Sequence, residues 1–389
     1  MPSKRHVLTL VTALALPLLA PAALAQGEPV KIGLILPMTG PFASTGRQIE
    51  AAVKLYMAQN GTTVAGRKVE VILKDDAGTP DQTRRLAQEL VVNDKVAVLA
   101  GFGITPAALA VGPVATQAKV PAVIMAAATS GIVAGSPYFV RTSYTLPQTS
   151  VTMAEWANKN NMKKLVTMVS DYGPGIDAEK SFKERVLLNG GQVIGEIRIP
   201  MRNPDFAPFL QRVRDLQPDA VFVFIPSGPA ASLMKQFSER GLDKANIKLI
   251  GDGGVTDDDT LGEMGDAALG TVTSFHYSAA HDSPLNKKFV EAFQAQAKFR
   301  PNFMAVGGYD GMRVIYKALE STKGKTDGDA LIAAMKGQTF ESPRGPITVD
   351  AQTRDIVQNV YIRRVERKGG QLWNTEIETF PNVKDPRAK

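Results

Sequence analysis

VLAGFGITPAA, running from Val98 to Ala108, decides how the fold is read. The apolar run Val96–Ala100 has strand composition, and Gly101-Phe102-Gly103 breaks it. A helix then starts at Thr105-Pro106, with Thr105 suited to the N-cap and Pro106 to the first helical position. Strand, glycine turn and helix in this order make one βα unit. The turn fails as a dinucleotide fingerprint, because G-x-G-x-x-G needs a third glycine where Pro106 stands. Two readings of it stay open. Unpaired amides and the helix dipole make such an end a site for a carboxylate. Alternatively, Gly and Thr merely end the strand and cap the helix.

Outward from this turn the same alternation repeats. VKIGLIL (Val30–Leu36), RKVEVILK (Arg67–Lys74) and Ala122–Met125 are strands, and helices are expected near Ala43–Gln59 and Asp81–Asn93. The series restarts with strands at Lys164–Ser170, Gln192–Ile199, Ala220–Ile225 and Ile247–Gly251. Helices over Ile176–Leu188, Pro208–Leu216 and Ala230–Arg240 separate them. Such alternation implies parallel, doubly wound sheets in an α/β protein, here as two Rossmann-like lobes. RTSYTLP (Arg141–Pro147) is the natural first crossover. Beyond Gly270 the order is less regular, with strands at Thr271–Tyr277, Ile347–Asp350 and Asn359–Arg364 and helices at Leu285–Phe299 and Met304–Ser321.

In such sheets ligands bind at the carboxyl edge. That edge gathers the opening turn, the small-residue loop MAAATSG (Met125–Gly131) with Thr129 and Ser130, and DYGPG (Asp171–Gly175) with Tyr172. Tyr172 either closes over a ligand or packs on its own lobe.

The chain of 389 residues begins with Lys4, Arg5 and His6, an apolar run broken by Pro17 and Pro21, and Ala23-Leu24-Ala25. This pattern reads as a signal peptide, residues 1–25, cleaved after Ala25. Removing it lowers the formal charge from +7 by two. The remaining charges are scattered, so no nucleic-acid partner is expected. The absence of cysteine excludes disulfides, thiolate metal sites and a lipid-modified cysteine. A free periplasmic protein is the expectation.

The common catalytic signatures are missing: there is no G-x-S-x-G and no H-E-x-x-H. Gly324-Lys325-Thr326 follows a helix and lacks the first P-loop glycine. His276 and His281 have poor spacing for a metal pair, and Asp257-Asp258-Asp259 reads as the acidic first turn of a helix. No catalytic residue, cofactor or metal is expected.

ILPMTGPFASTG, VILKDDAGTPDQ, AGFGITPAALAV, PAVIMAAATSG, VSDYGPGIDAEKSF, NPDFAPFLQRVRDLQPDAVFVF and FMAVGGYDGMRVIYKAL together resemble the periplasmic substrate-binding proteins of branched-chain amino acid (leucine/isoleucine/valine-binding) ABC transporters. The likeness covers nearly the whole mature chain. It implies the type I periplasmic binding protein fold, two lobes joined by three crossovers with the ligand in the cleft. The lobes would comprise 28–145 plus 276–350, and 146–275 plus 351–389. It places the ligand carboxylate near Phe102, Gly103, Ile104 and Thr105 and near Ala127, Ala128 and Thr129. Phe42 and Thr45 would add contacts, Tyr172 would cover the ligand, and Ser227 and Met304 fall where the family puts aromatic side chains. Phe42, Phe102, Tyr144 and Tyr172 could supply ring contacts.

One departure concerns the ligand's amine. Amino-acid binders of this family pair the ligand ammonium with an acidic residue, and in GDGGV the matching position is Gly253, with Asp252 beside it. A buried ammonium without a partner is costly. Either Asp252 substitutes or the ligand has no amine, so an amino acid and an aromatic or aliphatic carboxylate or amide both stand. The implied protein is a monomer delivering its ligand to a membrane permease. A sensor of the same fold and an exported α/β enzyme are the alternatives.

Overall fold

The computed structural model describes residues 27–201 and 204–387; the signal-peptide reading of residues 1–25 lies outside them. The first sheet contains β1 (Val30–Leu36), β2 (Thr63–Val64), β3 (Arg67–Asp75), β4 (Val98–Gly101), β5 (Ala122–Ile124) and β6 (Phe139–Arg141). Its order is β2-β3-β1-β4-β5-β6, parallel except for β2. Helices α1 (Ala43–Asn60), α2 (Pro80–Val92) and α3 (Thr105–Ala118) connect its strands.

The chain then crosses over at residues 142–145. Beyond lie α4 (Leu146–Lys159), β7 (Lys164–Ser170), α5 (Gly173–Leu188), β8 (Gln192–Ile199), α6 (Ala207–Leu216), β9 (Ala220–Phe224), α7 (Ser227–Glu239), β10 (Lys248–Asp252) and β11 (Val272–Phe275). β9 is AVFVF, buried along its whole length, as a central parallel strand covered on both faces should be. A second crossing at 276–283 leads to α8 (Pro284–Ala297), α9 (Phe303–Ser321) and α10 (Gly328–Met335). α8 and α9 pack on α1 of the first lobe, and α10 packs on α9. After a third crossing, β12 (Thr339–Ser342), β13 (Gly345–Val349), β14 (Ile356–Lys368) and β15 (Gln371–Val383) extend the second sheet, antiparallel, in the order β12-β13-β14-β11-β10-β9-β7-β8, with β15 on β14.

The protein is therefore a two-lobed α/β structure of mostly parallel sheets joined by three crossings. The end of the expected 276–350 return meets both lobes: β12 and β13 hydrogen-bond into the second sheet through β14, while Phe340 and Val349 pack on the first-lobe core. The first crossing is also shorter than RTSYTLP, because Arg141 ends β6 and Leu146 starts α4.

Buried arginines brace the crossings. Arg141 ion-pairs with Asp355 at 2.9 Å and donates to the carbonyls of Tyr144 and Thr129, both at 3.0 Å. Arg344 ion-pairs with Asp310 and donates to the carbonyls of Ser143 and Thr142. Each guanidinium thus spends its donors on backbone that has no sheet partner, which offsets the desolvation of a buried charge.

Candidate functional site

The carboxyl ends of both sheets face one gap, and a cavity of about 160 Å³ lies there. Five helices begin on its wall. Phe42, Ser44 and Thr45 come from the start of α1, and Ile104 and Thr105 from α3. Tyr172 and Pro174 open α5, Ser227 opens α7, and Asn302, Phe303 and Met304 open α9. No side chain caps α1, α3, α5 or α7. Their first amides and dipoles give the cavity a positive field suited to an anion.

The opening turn supplies part of the first-lobe wall. Gly101 has φ +108, and a Cβ there would collide with the Ile35 carbonyl, so only glycine fits. Phe102 follows at φ +66. Its ring is fully buried in the first-lobe core and does not face the cavity, which corrects its expected ring contact. Its carbonyl instead accepts from the Ala127 amide at 3.1 Å and ties the two loops together. Thr105 is the first helical residue and Ile104 the N-cap, so Thr105 does not cap α3 as expected. Its hydroxyl is 2.8 Å from that of Thr129. Gly103, Ile104, Thr105, Ala127 and Ala128 line the cavity; Thr129 stands behind them and reaches it through Thr105.

The second-lobe wall carries rings and acids. Tyr144, Tyr172 and Phe224 line it, with Tyr172 and Phe224 stacked at 6.2 Å. Tyr144 stacks on His276 at 4.7 Å. His276 is fully buried and held well below the usual histidine range by desolvation, then by Arg344 and Arg363, so it stays neutral. His281 instead meets Glu376, and no group of three or more metal-ligating side chains occurs among the described residues.

Asp252 and Asp257 both line the cavity, and burial pushes each carboxyl up to about 6. Asp252 accepts from the Gly254 amide at 3.0 Å and the Thr149 hydroxyl at 2.9 Å. Asp257 accepts from the Ser227 hydroxyl at 2.6 Å and from Asn302, across the gap, at 3.0 and 3.1 Å. The Asp257–Asp259 run is thus a loop and not a helix start: Asp258 ion-pairs with Arg363, and Asp259 accepts from the Ser44 hydroxyl of the other lobe at 2.9 Å. Gly253 is not a vacant acid position. A Cβ there would overlap the Phe275 ring and stand 2.5 Å from Arg363 Nη2, and that guanidinium donates to the Gly253 carbonyl.

Twelve of the fourteen expected residues line this one cavity, Phe102 and Thr129 being the exceptions. Sequence reasoning missed Phe224, Asp257, Asn302 and Phe303. Phe224 ends the strand β9 and Asp257 lies in the loop after β10, so treating every carboxyl-edge strand end and loop as cleft wall would have found them. Asn302 and Phe303 carry no comparable signal, because they come from the returning segment.

Residues 29–371 match the family model described as periplasmic binding protein. The chain is 45% identical over 385 residues to the Leu/Ile/Val-binding protein homolog 6 of Brucella abortus, covering 97% of this chain and 98% of that one. Its structure is similar to a solute-binding protein of an ABC transporter from Rhodopseudomonas palustris BisB5 in complex with 3,4-dihydroxybenzoic acid. That match has a TM-score of 0.90 and 61% identity, covering 92% of this chain and 99% of that one. It is similar also to one from R. palustris HaA2 in complex with p-hydroxybenzoic acid, with a TM-score of 0.89 and 41% identity, covering 92% and 98%.

Proposed function

Since the chain belongs to the periplasmic binding protein family, as a substrate-binding protein of an ABC transporter, we propose that its ligand is a carboxylate with one aromatic ring, held between the lobes and delivered to a membrane permease. The observation that carries this reading is a ring-sized cavity whose wall is built from helix starts. At about 160 Å³ it matches the roughly 150 Å³ apolar cavity known to admit one benzene molecule. The ligand carboxylate lies at Gly103, Ile104 and Thr105 with the amide of Ala128, while Ala127 walls that end of the cavity. Asp252 and Asp257 repel it from the opposite wall. Tyr144, Tyr172, Phe42 and Phe224 enclose the ring, and Thr45, Ser227 and Met304 close its edges. Thr129 acts through the Thr105 hydroxyl.

The aromatic acids bound by the two R. palustris proteins support this reading. A second reading, an amino acid, draws on the name of the Brucella relative and on the two cavity acids, either of which could pair with an ammonium. Thermal unfolding separates them. A ligand present at 100 times its Kd stabilises the protein by about 2.7 kcal/mol. Benzoate-type acids should raise the melting temperature, whereas leucine, isoleucine and valine should not. Stabilisation by leucine alone would overturn the proposal. The ligand bridges the lobes and favours their closed arrangement by differential affinity, and this closed form is what a permease would meet.

A further inference from the structure

The two acids on the cavity wall differ in how many of their acceptor sites are taken. A carboxylate offers about four lone-pair sites. Asp257 fills its own with four contacts: Ser227 and Asn302 on Oδ2, and Asp259 N and Asn302 on Oδ1. Asn302 belongs to the first lobe, where its Oδ1 caps α9, so this cluster ties one lobe to the other. Asp252 has two contacts, both from its own lobe, and keeps two acceptor sites free although it is only 1% exposed. Tyr144 and Tyr172 lie in its field and line the same cavity, and their hydroxyls have no hydrogen-bond partner among the described residues. A buried acceptor with spare lone pairs, facing a cavity, is a place for a donor.

We propose that Asp252 accepts a hydroxyl carried on the ring at the end away from the carboxylate, and that Asp257 is the tie between the lobes. The assignment rests on the aromatic-carboxylate reading and deepens it: the site selects hydroxylated rings over bare ones. A charge-assisted hydrogen bond in a dry cavity gives that preference, and its loss leaves the ring and carboxylate contacts intact.

Calorimetric titration with benzoate, 4-hydroxybenzoate and 3,4-dihydroxybenzoate tests it on the full mature chain and on Asp252→Asn and Asp257→Asn. The wild type should favour 4-hydroxybenzoate over benzoate by tenfold or more. Asp252→Asn should bring that ratio close to one by weakening the hydroxylated acids, while benzoate, relieved of a repelling charge, binds at least as tightly as to the wild type, which also reports that the variant is folded. Asp257→Asn should weaken both ligands alike and keep the ratio. If Asp252→Asn does not fold, Asp252→Ser, which retains an oxygen for the Gly254 amide, serves in its place with the same expectation. A preserved ratio in the Asp252 variant, or no preference in the wild type, overturns the assignment. Wild-type protein that binds leucine but none of the three acids overturns the aromatic-carboxylate reading itself, and the assignment with it.

Discussion

Replacing Gly253 with alanine tests whether this position could ever have held the acid that pairs with an amino-acid ligand. Ordinary carbon contacts lie near 3.5–4.0 Å. The new Cβ would overlap the Phe275 ring and sit 2.5 Å from Arg363 Nη2, about 1 Å too close. Neither neighbour yields easily. Phe275 is buried against Tyr144 at 5.0 Å and Phe303 at 4.6 Å. Arg363 is fixed by the carbonyl of Gly253 at 3.0 Å, by Thr273 at 3.1 Å and by the carbonyl of Tyr277. Overpacking a rigid core costs about 1–3 kcal/mol, and this site belongs at the upper end. At about 2–4 °C per kcal/mol for a lobe-sized unit, the melting temperature should fall by roughly 6–12 °C. The displaced Phe275 would push Tyr144 into the cavity, so ligand affinity should fall as well. Differential scanning calorimetry beside a binding titration measures both. An alanine variant with wild-type melting and binding would refute the packing reason for the missing acid.

Thr129→Val removes the partner of the Thr105 hydroxyl without changing the volume of the loop, and carboxylate affinity should drop tenfold or more, about 1.4 kcal/mol, by calorimetry; an unchanged Kd would remove Thr129 from the site. Tyr172→Ala should cost at least as much, through lost stacking with Phe224 and an open edge to the cavity, and an affinity equal to wild type would mean that Tyr172 does not cover the ligand. Stability should also depend on pH in a definite sense. Burial raises Asp252 from 3.8 to about 6, so its contribution is fully present below the unfolded value and is lost as pH rises through about 6. At 1.36 kcal/mol per unit the loss is up to about 3 kcal/mol. The melting temperature of Asp252→Asn should therefore gain on wild type between pH 4.5 and 7.5, and parallel curves would contradict the raised carboxyl.

Much of this was legible in the sequence because the responsible signals are local. Apolar runs such as VKIGLIL and AVFVF are strands wherever they fall in a parallel sheet, and the glycine turn after Ala100 marks the carboxyl edge where the cavity opens. Local signals fail where context decides. LPQTSVTMAEWANK reads as polar, yet its hydroxyls are buried against the second sheet, so α4 shows no clear apolar stripe. QLWNTEIETFPNV alternates weakly and contains Pro381, which only a strand on the edge of a sheet tolerates, so β15 stayed hidden. Phe102 looked like a ligand contact because its neighbours are contacts, but a left-handed backbone turns its ring into the core. Asp257 and Asn302 are 45 residues apart and meet only once the chain has crossed between lobes.

The measurement that bears most directly on the central claim is a crystal structure of this protein with 4-hydroxybenzoate. The carboxylate should lie against Gly103, Ile104 and Thr105, the ring between Tyr144 and Tyr172, and the hydroxyl within hydrogen-bond distance of Asp252. A ligand bound in the reverse sense, or an empty interlobe cavity at saturating ligand, would contradict it.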